Sequence, residues 1–184
     1  MSIFIRLPTR LCGKSILIKT LLGFIPYEGD ILLGGVNIKK LSNDVIRDYV
    51  GVVFQEPFIF SDSIKNNIDV FEKHNNLNEI IEVAKICEID KEIENLPNKY
   101  NEILGERGID LSGGQKQRIS IARTLIQKKN IIIFDDVLSK VDNITKQKIK
   151  NNLRKYDKDV ITIYITQDLS NIPSNATVFF ITKK

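Results

Sequence analysis

The sequence holds three short segments whose residue types could bind phosphate groups or a metal ion. In the first, Gly13, Lys14 and Ser15 stand between an apolar run and a helical pattern. Backbone N–H groups at such a helix start can hold phosphates, a Lys can neutralise them, and a Ser hydroxyl can bind Mg²⁺. The tripeptide alone is a weak signal, because an ordinary helix can also begin with a solvated Lys.

The second segment is an acidic pair at the end of an apolar run. Residues 130–134 read NIIIF, and Asp135 and Asp136 follow them. A continuous apolar run is typical of a strand that is buried on both faces. A carboxylate at the end of such a strand can hold Mg²⁺, and the next carboxylate can orient an attacking water. The alternative is a capping pair, since Asp is common in turns.

The third segment, residues 111–115, reads LSGGQ and opens a long helical pattern. Gly113 and Gly114 would expose N–H groups at the positive end of the helix dipole. Ser112 could donate a hydrogen bond to a phosphate oxygen. A glycine-rich turn with no function would not explain these five residues in this order.

Alternating strand and helix patterns supply the elements that must position these segments. Strands are predicted over residues 2–7, 28–33, 49–54, 130–135, 160–166 and 177–182. Helices are predicted over residues 14–24, 77–87, 113–127 and 142–156. This alternation predicts an α/β fold with a mainly parallel sheet flanked by helices.

Composition indicates one ordinary globular domain. The chain has 184 residues, of which 42% are hydrophobic and 27% charged, with a net charge of +4. Basic and acidic residues alternate, so we expect a solvated surface and no nucleic-acid partner. The two cysteines are too distant in sequence for a local metal motif. No run reaches the ~18 apolar residues of a membrane span, so a cytoplasmic protein is expected.

The order of these segments resembles that of ATP-binding cassette (ABC) proteins. LSGGQ followed by KQRISIARTLI is similar to the family's signature motif, and IIIFDD to its Walker B strand. The GKS loop, a Q-loop at Gln55 and a D-loop ending at Asp142 complete the order. Residues 105–108 (GERG) and 57–68 (PFIFSDSIKNNI) resemble the exporter branch. The resemblance implies a P-loop NTPase fold over residues 1–184, with a small helical subdomain at about residues 62–126.

The resemblance also implies that the ligands are ATP and Mg²⁺. The residues that would contact the nucleotide are Cys12, Gly13, Lys14, Ser15, Gln55, Ser112, Gly113, Gly114, Gln115 and Asp142. Those that would hold Mg²⁺ are Ser15, Gln55 and Asp135. The catalytic positions would be Asp136 and Gln167. Because ABC domains work as head-to-tail dimers, the signature of one chain would face the ATP bound to the other.

Several positions depart from the family pattern. Pro8 stands where the phosphate loop usually begins with Gly, and Pro has a fixed φ and no N–H. Asp136 replaces the usual catalytic Glu, so its carboxylate would lie roughly 1 Å short of the water, a misplacement that can cost about 10²-fold. Gln167 replaces the switch histidine and can carry neither a proton nor a positive charge. His74, the one histidine, cannot replace it by position.

Compared with the family, the chain is short at both ends. The aromatic that stacks on adenine would precede Met1, and the segment after the last strand would follow Lys184. Truncation and the altered phosphate loop favour decay to a gene remnant. Asp136 and Gln167 beside an intact signature instead resemble the degenerate half of a heterodimeric exporter.

The implied partners are a second nucleotide-binding domain, as a heterodimer, and a transmembrane domain on a separate chain. Such an assembly would place the protein at the inner face of a membrane. A soluble ABC ATPase acting on DNA or ribosomes would usually carry a coiled-coil insertion or a second cassette, which this sequence lacks. A third class is a non-catalytic regulatory module that binds ATP.

Overall fold

Strands and helices alternate in the computed structural model, which describes residues 2–6, 14–70, 76–105, 111–156, 160–166 and 177–180. The strands are β1 (Ser2–Arg6), β2 (Leu32–Leu33), β3 (Val36–Asn37), β4 (Val50–Val53), β5 (Ile131–Asp135), β6 (Ile161–Thr166) and β7 (Thr177–Phe180). The α-helices are α1 (Lys14–Leu21), α2 (Asn43–Tyr49), α3 (Ile64–Ile68), α4 (Leu77–Ile86), α5 (Asp90–Glu94), α6 (Gly113–Leu125) and α7 (Asn143–Tyr156). None of the helices within these ranges is long and apolar enough to cross a membrane.

The main sheet has the strand order β4-β5-β6-β1-β7. β5 pairs in parallel with β6, and β1 pairs in parallel with both β6 and β7. β5 and β6 follow each other in the chain and are parallel neighbours in the sheet, so a crossover must connect them. The predicted α/β fold with a mainly parallel sheet is confirmed.

Residue contacts divide the chain into two units. The first unit is drawn from the segments 1–52, 129–136 and 160–184 and contains the main sheet. In its core, Ile18 of α1 and Leu22, just after that helix, pack against Ile133 of β5 and Ile165 of β6. The apolar strand residues thus bury one side of α1, which fixes this helix against the sheet.

Gly23, two positions after the last residue of α1, terminates this helix. The N–H of Gly23 donates to the carbonyl of Thr20 at 3.0 Å, and the N–H of Phe24 donates to that of Lys19 at 2.8 Å. Gly23 has a φ of 74°, the left-handed conformation that this type of helix end requires. The helix therefore stops before residue 24, where the sequence pattern had predicted its end.

The second unit is drawn from the segments 53–128 and 137–159 and contains α3 to α7. α6 lies against both α3 and α4. The side chains buried at these helices include Ile64, Ile68, Val83, Ala84 and Ile119. α6 is the central element of this unit, and the LSGGQ segment stands at its N-terminus.

Two strand predictions are wrong in part. Of residues 28–33, only Leu32–Leu33 forms a strand, and it pairs antiparallel with β3 outside the main sheet. Gly34 and Gly35 join the two strands with φ values of 57° and 81°, which permits a tight hairpin turn. Residue 49, predicted to begin a strand, is instead the last residue of α2. Ser42 caps the start of this helix by accepting a hydrogen bond from the N–H of Val45.

Candidate functional site

In the first unit, the candidate residues lie at the carboxyl edge of the parallel sheet. Asp135 is the last residue of β5, is only 6% exposed, and is in register with Ile165 of β6. α1 begins at Lys14, and Ile18, one turn later, packs against Ile133 and Ile165. Crossover helices begin near the edge where the preceding parallel strand ends. The start of α1 and the Asp135 carboxylate therefore share this edge.

The donor set at this edge fits a magnesium-bound phosphate. Mg²⁺ takes oxygen ligands such as the Asp135 carboxylate. The N-terminus of α1 offers backbone N–H groups and a positive dipole end to an anion. Cys12, Gly13 and Gln167 lie outside the described residues, as do the side chains of Lys14 and Ser15. Pro8, His74 and residues 106–108 lie outside them as well.

Asp136 follows Asp135 in a left-handed backbone conformation. Its φ is 50°, and its N–H donates to the carbonyl of Ile165 at 2.9 Å. Asp adopts this conformation more readily than most residues with a side chain. The chain therefore turns sharply after Asp135, and the Asp136 side chain is partly exposed.

In the second unit, Ser112 caps the N-terminus of α6. Its hydroxyl oxygen accepts from the N–H of Gln115 at 3.2 Å, and Gln115 Oε1 accepts from the N–H of Ser112 at 2.8 Å. This reciprocal pair is a capping box, which satisfies two amides that the helix itself leaves free. Within the described part of the chain, the amides of Gly113 and Gly114 have no acceptor in the first turn. The local residue order thus builds a turn that could hold an anion.

The loop before α7 packs directly on this turn. A Cβ atom added to Gly114 would lie 2.9 Å from the backbone oxygen of Lys140. Gln117 of α6 is fully buried, and its Oε1 accepts from the N–H of Lys140 at 3.2 Å. Gly114 is therefore required by close packing, and the D-loop candidate and the LSGGQ segment form one local structure.

Asp142 ends this loop and caps α7. Its Oδ1 accepts from the N–H groups of Thr145 at 3.0 Å and Ile144 at 3.1 Å. The bond from the Thr145 backbone is the main reason that the pKa of Asp142 lies below its usual value. The carboxylate is exposed and is ionised at neutral pH. Its role in the described structure is that of a helix cap.

Gln55 is exposed in the loop that follows β4. The rest of that loop is held by Arg123 of α6, which the sequence analysis missed. Arg123 donates to the carbonyl of Phe58 at 2.7 Å and to the carbonyl and Oδ1 of Asn67 at 2.7 and 3.0 Å. Asn67 in turn accepts from the N–H of Phe60 at 2.9 Å. No sequence spacing signals these contacts, because they join residues far apart in the chain.

The structure thus gathers the candidate residues into two local groups. The first unit contains the start of α1 at Lys14 together with Asp135 and Asp136. The second unit contains Gln55, residues 112–115 and Asp142. Each group contains residue types that can contact phosphate or magnesium. The second unit also contains Glu92 and Arg118, which the sequence analysis did not single out.

Comparison with known families identifies the chain. The family model described as ABC transporter matches residues 12–139, more than half of the chain. This protein belongs to the ABC transporter family. The resemblance drawn from LSGGQ, IIIFDD and the GKS loop is thereby confirmed.

Two relatives of this ABC protein have names that mention multidrug resistance or export. It is 44% identical over 160 residues to the multidrug resistance-like ATP-binding protein MdlA of Buchnera aphidicola, covering 86% of this chain and 28% of that protein. It is 39% identical over 172 residues to a putative export ATP-binding/permease protein of Rickettsia typhi, covering 93% of this chain and 30% of that protein. The ABC chain spans less than a third of the length of these relatives.

A solved structure supports the same assignment. A bacterial Atm1-family ABC exporter with ATP bound superimposes with a TM-score of 0.92 at 35% sequence identity. The match covers 98% of this ABC chain and 32% of the exporter chain. The fold is therefore that of an ABC exporter's nucleotide-binding domain.

Proposed function

We propose that this chain is the ATP-binding subunit or fragment of an ABC exporter, which couples the binding and hydrolysis of ATP to transport across a membrane. The observation that carries the proposal is the buried Asp135 carboxylate at the sheet edge where α1 begins. In this assignment, Cys12, Gly13, Lys14 and Ser15 contact the nucleotide phosphates. Ser15, Gln55 and Asp135 hold Mg²⁺, which would neutralise charge on the phosphates.

The proposed partners are a second nucleotide-binding domain and a transmembrane domain on another chain. In the head-to-tail dimer, residues 112–115 would contact the phosphate of ATP bound to the partner. The exposed Ser112 and the first-turn amides of α6 support this role, because they form a positive helix end. The assembled protein would lie peripherally at the inner face of the membrane.

We further propose that the ATP site of this chain is degenerate. Asp136 stands where the family has a longer catalytic carboxylate, and Gln167 where it has a histidine. The partner would then form a heterodimer in which this chain supplies the signature to the partner's active site. The competing functions are a truncated remnant without activity and a regulatory module that binds ATP without hydrolysing it.

Lys14→Ala should weaken the binding of MgATP to the purified chain about 10- to 100-fold. The substitution removes one charge-assisted phosphate contact, and such a contact contributes roughly 1.5–3 kcal/mol. Lys19→Ala is the matched control, since Lys19 is exposed on the same helix. Calorimetric titration measures both affinities. Equal affinities in the two variants would exclude the phosphate site at the start of α1.

Hydrolysis by the unmodified chain should be near background. Asp136 leaves the attacking water poorly oriented, and Gln167 offers no positive charge at the γ-phosphate, so both changes raise the barrier. The double variant Asp136→Glu with Gln167→His should raise turnover by about 10²-fold if the phosphate loop binds nucleotide normally. Phosphate release measures the rate. If only the further change Pro8→Gly restores turnover, the loop limits activity.

Calorimetric titration and phosphate release together discriminate among the proposed functions. A Lys14-dependent rate in the unmodified chain that matches intact cassettes would show that the site is not degenerate. Binding of MgATP without turnover in any variant would favour the regulatory module. Absence of binding in a folded chain would favour the remnant.

A further inference from the structure

Glu92 of α5 connects two side chains at the N-terminus of α6. Its Oε2 accepts from Gln115 Nε2 at 2.8 Å. Arg118 binds the same carboxylate with two nitrogens, Nη1 to Oε1 at 2.6 Å and Nη2 to Oε2 at 3.1 Å. This forked geometry fixes the direction as well as the distance of the contact.

Both polar ends of the Gln115 side chain are engaged within the chain. Oε1 accepts from the N–H of Ser112, and Nε2 donates to Glu92. If Gln115 Nε2 had no partner, the side-chain amide could rotate, and Oε1 would lose its hydrogen bond from the N–H of Ser112. The bond to Glu92 therefore holds the capping box in the arrangement that the structure shows.

Arg118 ties the same cluster to the backbone. It is 8% exposed and donates from Nη1 to the carbonyl of Glu88 at 2.6 Å and from Nε to the carbonyl of Gly114 at 3.3 Å. Burial by itself would raise the pKa of Glu92, but the hydrogen bonds from Arg118 and Gln115 outweigh it and hold that pKa below its usual value. Glu92 is therefore ionised at neutral pH.

We propose that Glu92 is a positioning residue for the nucleotide contact of the LSGGQ segment. Through Gln115 it holds the Ser112 amide, and through Arg118 it holds the Gly114 carbonyl, so that the turn keeps one shape before any nucleotide arrives. This role rests on the proposed function, in which residues 112–115 meet the phosphate of a partner-bound nucleotide.

The test is the exchange of backbone amide hydrogens in the full chain without nucleotide. Glu92→Gln removes the charge but keeps the size of the side chain, and it should accelerate exchange at Ser112 and Gln115 about tenfold. Glu94→Gln is the matched control, because Glu94 lies on the same helix and pairs only with Lys99 at the surface among the described residues. It should leave these amides unchanged.

Amides in α4 separate a local effect from a global one. Val83 and Ala84 are buried beside α6 and report opening of the whole unit. Equal acceleration at Val83 and at Ser112 would overturn the proposal, since Glu92 would then support the whole unit. No acceleration at Ser112 in Glu92→Gln relative to Glu94→Gln would overturn it as well.

A second variant tests the route through Gln115. In a Gln115→Ala background, Glu92→Gln should no longer accelerate exchange at Ser112, because the acceptor that Glu92 holds is gone. An undiminished effect in that background would overturn the proposed route. Failure of MgATP binding would count against the proposed function alone, since the exchange experiment contains no nucleotide.

Discussion

Replacing Arg123 by methionine is expected to lower the free energy of unfolding by about 4 kcal/mol. The guanidinium makes three hydrogen bonds, to Phe58 and Asn67, and lies over the ring of Phe60 at 5.2 Å from the centroid. Methionine has similar length but no donor, so the carbonyls of Phe58 and Asn67 would lose their charged partner. Burial lowers the pKa of Arg123 to about 10, which still leaves it protonated at neutral pH.

Urea unfolding followed by circular dichroism measures this loss. Arg123→Lys is the control, because lysine keeps the charge and the aliphatic stem but cannot reach three acceptors with a planar fork. We expect lysine to recover less than half of the loss. A methionine variant as stable as the original chain would show that the Arg123 contacts are not formed in solution.

Gly114→Ala should cost about 2 kcal/mol of unfolding free energy. The new Cβ would lie 2.9 Å from the backbone oxygen of Lys140 and 3.8 Å from the Cα of Val141. Backbone atoms cannot rotate away, so either the loop before α7 or the first turn of α6 must shift. The same shift would distort the turn formed by the capping box of Ser112 and Gln115.

Gly113→Ala is the matched control one position earlier. Its added Cβ would also lie 2.9 Å from a Lys140 atom, but that atom is Cδ of a flexible side chain. Lys140 can take another rotamer, so we expect a change within about 0.5 kcal/mol. Thermal unfolding of the two variants side by side measures the difference. Equal stabilities would contradict the close approach of the loop backbone to Gly114.

Local sequence patterns correctly predicted those helices and strands whose formation depends on residues close together in the chain. The LSGGQ segment marked the start of α6, and the apolar run before Asp135 marked β5. Both rules act within a few residues, so the sequence expresses them directly. The same rules failed at residues 28–33, where Gly34 and Gly35 turn a short strand back on itself before it can join the main sheet.

The sequence by itself determined the family, the parallel α/β sheet and the positions of the phosphate and magnesium candidates. Tertiary structure alone decided how those segments are held. Glu92 reaches Arg118 across 26 positions, and Arg123 reaches Phe58 across 65. Such contacts follow from how α5, α6 and the loop after β4 pack together. A hydrogen bond between distant residues leaves no periodic pattern in the sequence, because only the folded chain brings its donor and acceptor within reach.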